Sequence, residues 1–313
     1  MRGLTAPVPG PSTAEVVREA LTGRRRDVRG AAFQGALLLA LLVSLAVLVT
    51  LLTDVVRTGI PVFVDRGTDF LTSNVSSLPE RAGVWQGIVG SVTLMVFVVL
   101  LAFPIGIGAA IYMEEYARDT PVTRFINANI RNLAGVPSIV YGLLGLAIFV
   151  RLLQGMTGGR SVIAGGLTLA VLVLPIVVIT SAEALRAVPS TIREAGFGVG
   201  ATRWQVIRSH VLPYAAPGIL TGTVLTLARA FGETAPLILV GASTGFLATG
   251  SAGLAESLRG PYTALPMLVY DFATRNLREF KASTAAAIMV LLGILLLVNA
   301  TAILMRNRYA RRW

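Results

Sequence analysis

Long apolar runs alternate with short charged stretches along this chain. Five runs approach the length that crosses a bilayer: Phe33–Val56, Ile88–Met113, Leu133–Val150, Val162–Ile179 and Ile219–Val240. Ser283–Met305 is a sixth. A helix needs about 20 apolar residues to span the hydrocarbon core. The pattern therefore predicts an all-α polytopic membrane protein with six transmembrane helices and both termini on one side. Residues 1–30 are rich in Pro, Ala and Arg and read as a loose tail, with Thr13–Thr22 patterned as a short amphipathic helix. Gly59–Trp85 and Gly241–Lys281 are expected outside. Pro104, Gly106 and Gly108 predict a bend in the second span. Gly135, Pro137, Gly142 and Gly145 in the third suit close helix packing. In Gly241–Lys281, Asp271 and Arg275 stand at i,i+4, which fits a surface pair or a contact for an external partner. The Asn74-Val75-Ser76 sequon is read as chance, and no internal repeat is found.

Between the fourth and fifth runs lies a polar insert, EAGFGVGATRWQVIRSHVLP, from Glu194 to Pro213. Pro189-Ser190 predicts the start of a short helix carrying Arg193 and Glu194, and Gly200 breaks the chain. Thr202 and Gln205 fit a capping box. Trp204, Ile207 and Val211 then share one helical face, and Pro213 is expected to end the helix. Two short helices with an apolar knob and charged flanks suit a groove on a soluble partner.

Composition fits this picture. Apolar residues make up 54% of the chain and its mean hydropathy is +0.74. With the N-terminus inside, seventeen of the 27 Lys+Arg fall on cytoplasmic segments, so the net charge of +11 is mainly an orientation signal. The basic residues flank the spans instead of forming one patch, which argues against nucleic-acid binding. The first run follows Arg24-Arg25-Arg26 and exceeds a signal-peptide core, so it is expected to be an uncleaved anchor. Without Cys the chain has no disulfide or thiolate chemistry, and its lone His210 excludes a multi-histidine zinc site. The lone Lys281 precedes Ala282, so no phosphate-binding P-loop is possible and the chain is not itself a P-loop ATPase. No Ser/His, paired-carboxylate or metal constellation lies at membrane depth, which makes an intramembrane enzyme the weakest reading.

Arg229 and Glu233 stand i,i+4 inside the fifth run. Ionisable groups at that depth cost about 2.5–3.5 kcal/mol on insertion scales and are usually paired or functional. The pair is either a structural salt bridge or a gate for a charged solute. Arginine's planar fork suits a tetrahedral oxyanion.

The insert resembles the conserved loop of ABC importer permeases at Glu194, Ala195, Gly200, Leu212 and Pro213, with Gly196 and His210 as departures. AGVPSIVYGLLGLAIFV (Ala134–Val150) and LARAFGETAPL (Leu227–Leu237) are similar to the phosphate-specific (Pst) permease pair. Thr234-Ala235-Pro236 is closer to its A-type than to its C-type subunit. The resemblance covers most of Ile88–Met305. It implies a type I ABC importer permease (MetI-like) fold over 31–313, with coupling helices at about 189–213. Glu194, Ala195, Gly200, Arg203, Trp204, Ile207, Leu212 and Pro213 would dock on the ATPase. Arg229, Glu233, Thr234, Ser138 and Tyr141 would line the substrate path. The implied partners are a second permease (PstC-type), an ATPase dimer (PstB-type), an extracytoplasmic phosphate-binding protein (PstS-type), inorganic phosphate and the bilayer of the bacterial plasma membrane. No cofactor is expected on this chain, since ATP and magnesium would bind the ATPase. Sulfate or molybdate transport, or a phosphate-sensing scaffold, are the alternatives.

Overall fold

The computed structural model describes residues 28–242, 254–275 and 279–310. The expected N-terminal tail and its amphipathic segment lie almost wholly outside them. Described secondary structure is helical throughout. The longer helices are α1 (Val28–Arg66), α2 (Trp85–Tyr116), α3 (Pro121–Ala134), α4 (Ser138–Leu152), α5 (Val162–Arg186), α6 (Ser190–Gly198), α7 (Arg203–Gly232), α8 (Ala235–Val240), α9 (Leu265–Thr274) and α10 (Phe280–Ala310). Five are long and apolar enough to span a membrane, or six if α3 and α4 count as one bent span. The residues up to Asp54 form one compact unit and Val55–Trp313 a second. In the first, α1 is exposed from Val28 to Asp54.

Within the second unit α5 is the hub. It is 67% buried over its most apolar stretch, against 33% for α2 and α7 and 6% for α10. Leu169, Leu172, Val173 and Val177 of α5 meet Leu94, Val98 and Phe103 of α2 and Ala230 of α7. The outward faces of α2 and α10 keep large apolar side chains exposed, such as Leu100 and Leu297, as a lipid solvent permits.

Prolines shape two of these helices without ending them. A proline lacks an N–H, and its ring collides with the carbonyl four residues earlier. For Pro104 that carbonyl belongs to Leu100, inside a π-helical stretch at Val98–Ala102. For Pro213 it belongs to Ser209, inside another at Ile207–Val211. Shifting to i→i+5 bonding widens the turn and relieves the clash. The bend expected at Pro104 thus takes the form of a π-bulge in a continuous span, and Pro213 does not end its helix. Pro175 in α5 sits in regular α-helix.

Three further boundaries move. The helix of the first span continues to Arg66, so only the later part of Gly59–Trp85 is loop. The third apolar run is not one straight helix. Leu133 belongs to α3, and Gly135 and Pro137 make a 100° turn between α3 and α4. The fifth apolar run is broken after Gly232. At the far end from α6, Phe70, Phe272 and Phe280 pack with Leu265 and Val84. Arg275 joins this cap: Nε donates to Asp271 (2.8 Å), Nη1 donates to the Ser76 carbonyl (2.9 Å), and the guanidinium lies over Phe280. The Asp271–Arg275 pair is therefore a tie across the cap, half-buried, and not a free surface pair.

Candidate functional site

The first candidate region is the break in the fifth apolar run. Pro236 offers no N–H to the carbonyl of Gly232 four residues earlier, and with glycine at that position and no π-helical stretch to absorb the clash the helix breaks here. α7 stops, Glu233 is extended (ψ 115°), and α8 restarts at Ala235 behind Thr234. Arg229 Nε lies 3.4 Å from Glu233 Oε1. The arginine is 50% exposed and the glutamate 16%. The contact is long and involves a single nitrogen, and the guanidinium donates no hydrogen bond among the described residues. Thr234 is half-buried, and its hydroxyl makes no capping bond.

α4 packs directly on this segment. A Cβ on Gly142 would stand 2.7 Å from Pro236 Cα, and one on Gly145 would strike Thr168 and Val240. Glycine is what lets the two backbones touch here. The contacts advance together along both helices, so α4 and α8 run parallel. Ser138, half-buried and one turn before Gly142, lies toward the break. Tyr141 has a structural role. Its hydroxyl donates to the Leu133 carbonyl (2.9 Å) and the side chain is buried, so the proton an anion would need is spent bracing the α3–α4 turn.

The second region is the polar insert. α6 ends at Gly198, and Gly200 adopts φ +83°, the left-handed region that favours glycine. α7 then starts on the expected capping box: Thr202 N donates to Gln205 Oε1 (2.8 Å) and Gln205 N to Thr202 Oγ1 (3.4 Å). The expected apolar face splits. Trp204 is 51% exposed, while Ile207 and Val211 are buried, Val211 with Val206 against Leu185 and Val188. Trp204 stands three residues before Ile207, about 60° around the helix, and so falls at the exposed edge of the face that Ile207 and Val211 bury. Ile207 is core, and the outward apolar knob is Phe197, Val199 and Trp204. Glu194, Ala195 and Arg203 are exposed; Leu212 and Pro213 are half-buried. Gly196 has a steric reason, since a Cβ there would come 2.7 Å from Val206.

Sequence reasoning missed what anchors this insert. The last turn of α2 carries Glu114 and Glu115. Glu115 is buried and accepts from Arg193 of α6 at 2.7 Å (Nη2) and 3.1 Å (Nε). Arg193 also donates to the carbonyls of Val188 (2.8 Å) and Leu185 (2.9 Å). Glu114 takes a two-pronged bond from Arg186 of α5 at 2.6 and 2.8 Å. Next to them, Arg203 lies over the Tyr116 ring at 5.3 Å. One end of one span thus grips α5, α6 and the start of α7. The partners are 72 and 78 residues apart, beyond any local pattern. The available signal was two adjacent carboxylates closing an apolar run.

These features match known proteins. The family model "Binding-protein-dependent transport system inner membrane component" matches residues 102–309. The phosphate transport system permease protein PstA of Pasteurella multocida is 36% identical over 222 residues, 70% of this chain and 74% of that protein. The phosphate transport system permease protein PstC of Mesorhizobium japonicum is 30% identical over 78% of each chain. Among solved structures, a bacterial alginate ABC transporter in complex with its alginate pentasaccharide-bound periplasmic protein aligns with a TM-score of 0.62 at 14% identity, covering 94% of this chain and 96% of that one. The last of these speaks for the fold alone. The all-helical architecture, the apolar spans and the family match agree: the chain belongs to the family of binding-protein-dependent transport system inner membrane components.

Proposed function

We propose that this chain is the transmembrane permease subunit of an ATP-driven inorganic phosphate importer. The observation that carries the reading is the half-exposed Arg229 at a helix break in a span, held by one long contact to Glu233 and left with donors to spare. A guanidinium in that state suits passing contact with an oxyanion: the donors attract it, and the neighbouring carboxylate disfavours tight capture. Similarity to proteins named as phosphate permeases supports phosphate over other tetrahedral oxyanions.

In this reading Arg229, Glu233, Thr234 and Ser138 border the substrate path, with Tyr141 as its brace. The α6–Gly200–α7 corner docks on an ATPase dimer through Phe197, Val199, Trp204 and the exposed Glu194. Closure of the ATPase dimer on ATP pulls this corner, and the Glu115–Arg193 and Glu114–Arg186 bonds pass the pull to α2 and α5. The spans alternate between two arrangements, each stabilised by a different partner state. ATP and magnesium stay on the ATPase. A second, PstC-type permease completes the channel, a PstS-type binding protein delivers phosphate outside, and both termini lie in the cytoplasm.

The test is uptake of labelled phosphate at low concentration in cells lacking the gene, complemented with wild type or Arg229→Gln, with sulfate uptake in parallel. Phosphate uptake restored by wild type and not by the variant supports the reading. Equal restoration makes Arg229 a structural charge and moves the path elsewhere. Restored sulfate uptake without phosphate uptake overturns the substrate.

A further inference from the structure

The charged turn after α2 leads into α3, whose role in transport is not assigned above. Thr120 caps it with a reciprocal box to Thr123, and Pro121 fits its first turn. Yet none of its residues is buried. Val122, Phe125, Ile126 and Leu133 are 65%, 69%, 43% and 46% exposed. At about 100° per residue these four form one stripe, and Arg124 and Arg131 fall roughly opposite it. Thr123, Asn127, Ile130 and Ala134, half-buried, form the flank between them that faces the protein. Asn129 falls within the stripe, but its amide donates to the Phe125 carbonyl (2.8 Å), so its donor is satisfied on its own helix.

The direction of α3 gives this stripe a meaning. α3 meets α4 at 100°, and the Tyr141–Leu133 hydrogen bond holds the turn. A helix at right angles to a span runs along the membrane plane. It also leaves from the end of α2 that grips α6, so it lies at the membrane surface on the side of the polar insert. From Ala117 to Gly135 the charged residues are Arg118, Arg124 and Arg131 against Asp119, which pairs with Arg124 at 2.9 Å. An exposed apolar stripe, an opposing basic face and an in-plane axis are the marks of an interfacial helix. The surplus positive charge suits the anionic surface of a cytoplasmic leaflet.

We propose that α3 is a membrane-surface anchor. Phe125, Ile126, Val122 and Leu133 sink into the boundary between headgroups and acyl chains, and the arginines face anionic headgroups. The anchor fixes the level at which the α3–α4 turn enters the bilayer, beside the segment that packs on the broken span. This inference rests on the membrane-spanning reading of α2 and α4, and not on the identity of the solute.

The chain has no cysteine, so single-cysteine spin labels are clean. Phe125→Cys, Ile126→Cys, Leu133→Cys and Arg131→Cys are made in the whole transporter, with cysteine-free partner subunits, in vesicles of phosphatidylethanolamine and phosphatidylglycerol. Leu100→Cys, on the exposed face of α2, is the bilayer control. The expected result is an oxygen-to-nickel-chelate accessibility ratio several-fold higher at 125, 126 and 133 than at 131. Replacing phosphatidylglycerol with a zwitterionic lipid should lower it at 125. Labels at 125, 126 and 133 shielded from both reagents would mean that a protein subunit covers the stripe, and labels open to the nickel chelate would mean that water does; either overturns the anchor. An unchanged ratio without anionic lipid overturns the headgroup contact. A water-exposed Leu100 label would instead remove the span reading on which the inference stands.

Discussion

Replacing Glu115 with Gln tests whether the end of α2 holds α6. The variant keeps the side-chain volume and one acceptor but removes the charge that faces Arg193. Breaking a buried ion pair from one side typically costs about 3–5 kcal/mol. Arg193 is 23% exposed and keeps its bonds to the Val188 and Leu185 carbonyls, so a cost near 2 kcal/mol is the expectation. Little of α6 is otherwise buried, with Gly196 its one buried residue, so the loss should fall on local opening and not on the whole fold. About 2 kcal/mol corresponds to a roughly thirtyfold more populated open state, and so to about thirtyfold faster exchange when reclosing is fast. Hydrogen exchange of the purified complex should show this acceleration in the amides of 190–198, with the centre of α5 unchanged. Glu114→Gln should do much less, because Arg186 is 45% exposed and such pairs contribute about 0–1 kcal/mol. Exchange in 190–198 within twofold of wild type would refute the clamp. Equal acceleration across α5 would refute its local character.

Two further expectations follow from the packing. Gly142→Val would drive a branched side chain into the backbone of Pro236, a strain of about 1–3 kcal/mol, and should lower both the melting temperature of the complex and phosphate uptake. Trp204→Ala and Ile207→Ala should separate docking from folding. The half-exposed tryptophan should change stability by less than about 1 kcal/mol yet weaken co-purification of the ATPase, while the buried isoleucine should cost about 2–5 kcal/mol in the permease itself.

What the sequence revealed and what it hid divide along a physical line. The spans were legible because a bilayer demands about 20 consecutive apolar residues and leaves few other patterns possible. The capping box at Thr202 and the break at Gly200 were legible because each is decided within a few residues. Errors began where a helix departs from its ideal period. Pro213 looks terminal in the sequence, but the π-helical stretch at Ile207–Val211 accommodates it; Ile207 and Val211 are core, and Trp204 is the exposed edge of their face. The Leu133–Val150 run hid a 100° turn because its apolar residues continue across Gly135 and Pro137. Tyr141 is placed by resemblance alone, and only its bond to Leu133 shows where its proton goes. The clamp was beyond reach, since Arg186 and Arg193 also satisfy the charge bias that orients a membrane protein. The same arginines thus enter two readings: a count along the chain uses them for an expected orientation, while the mechanical one depends on which carboxylate waits 72 or 78 residues upstream.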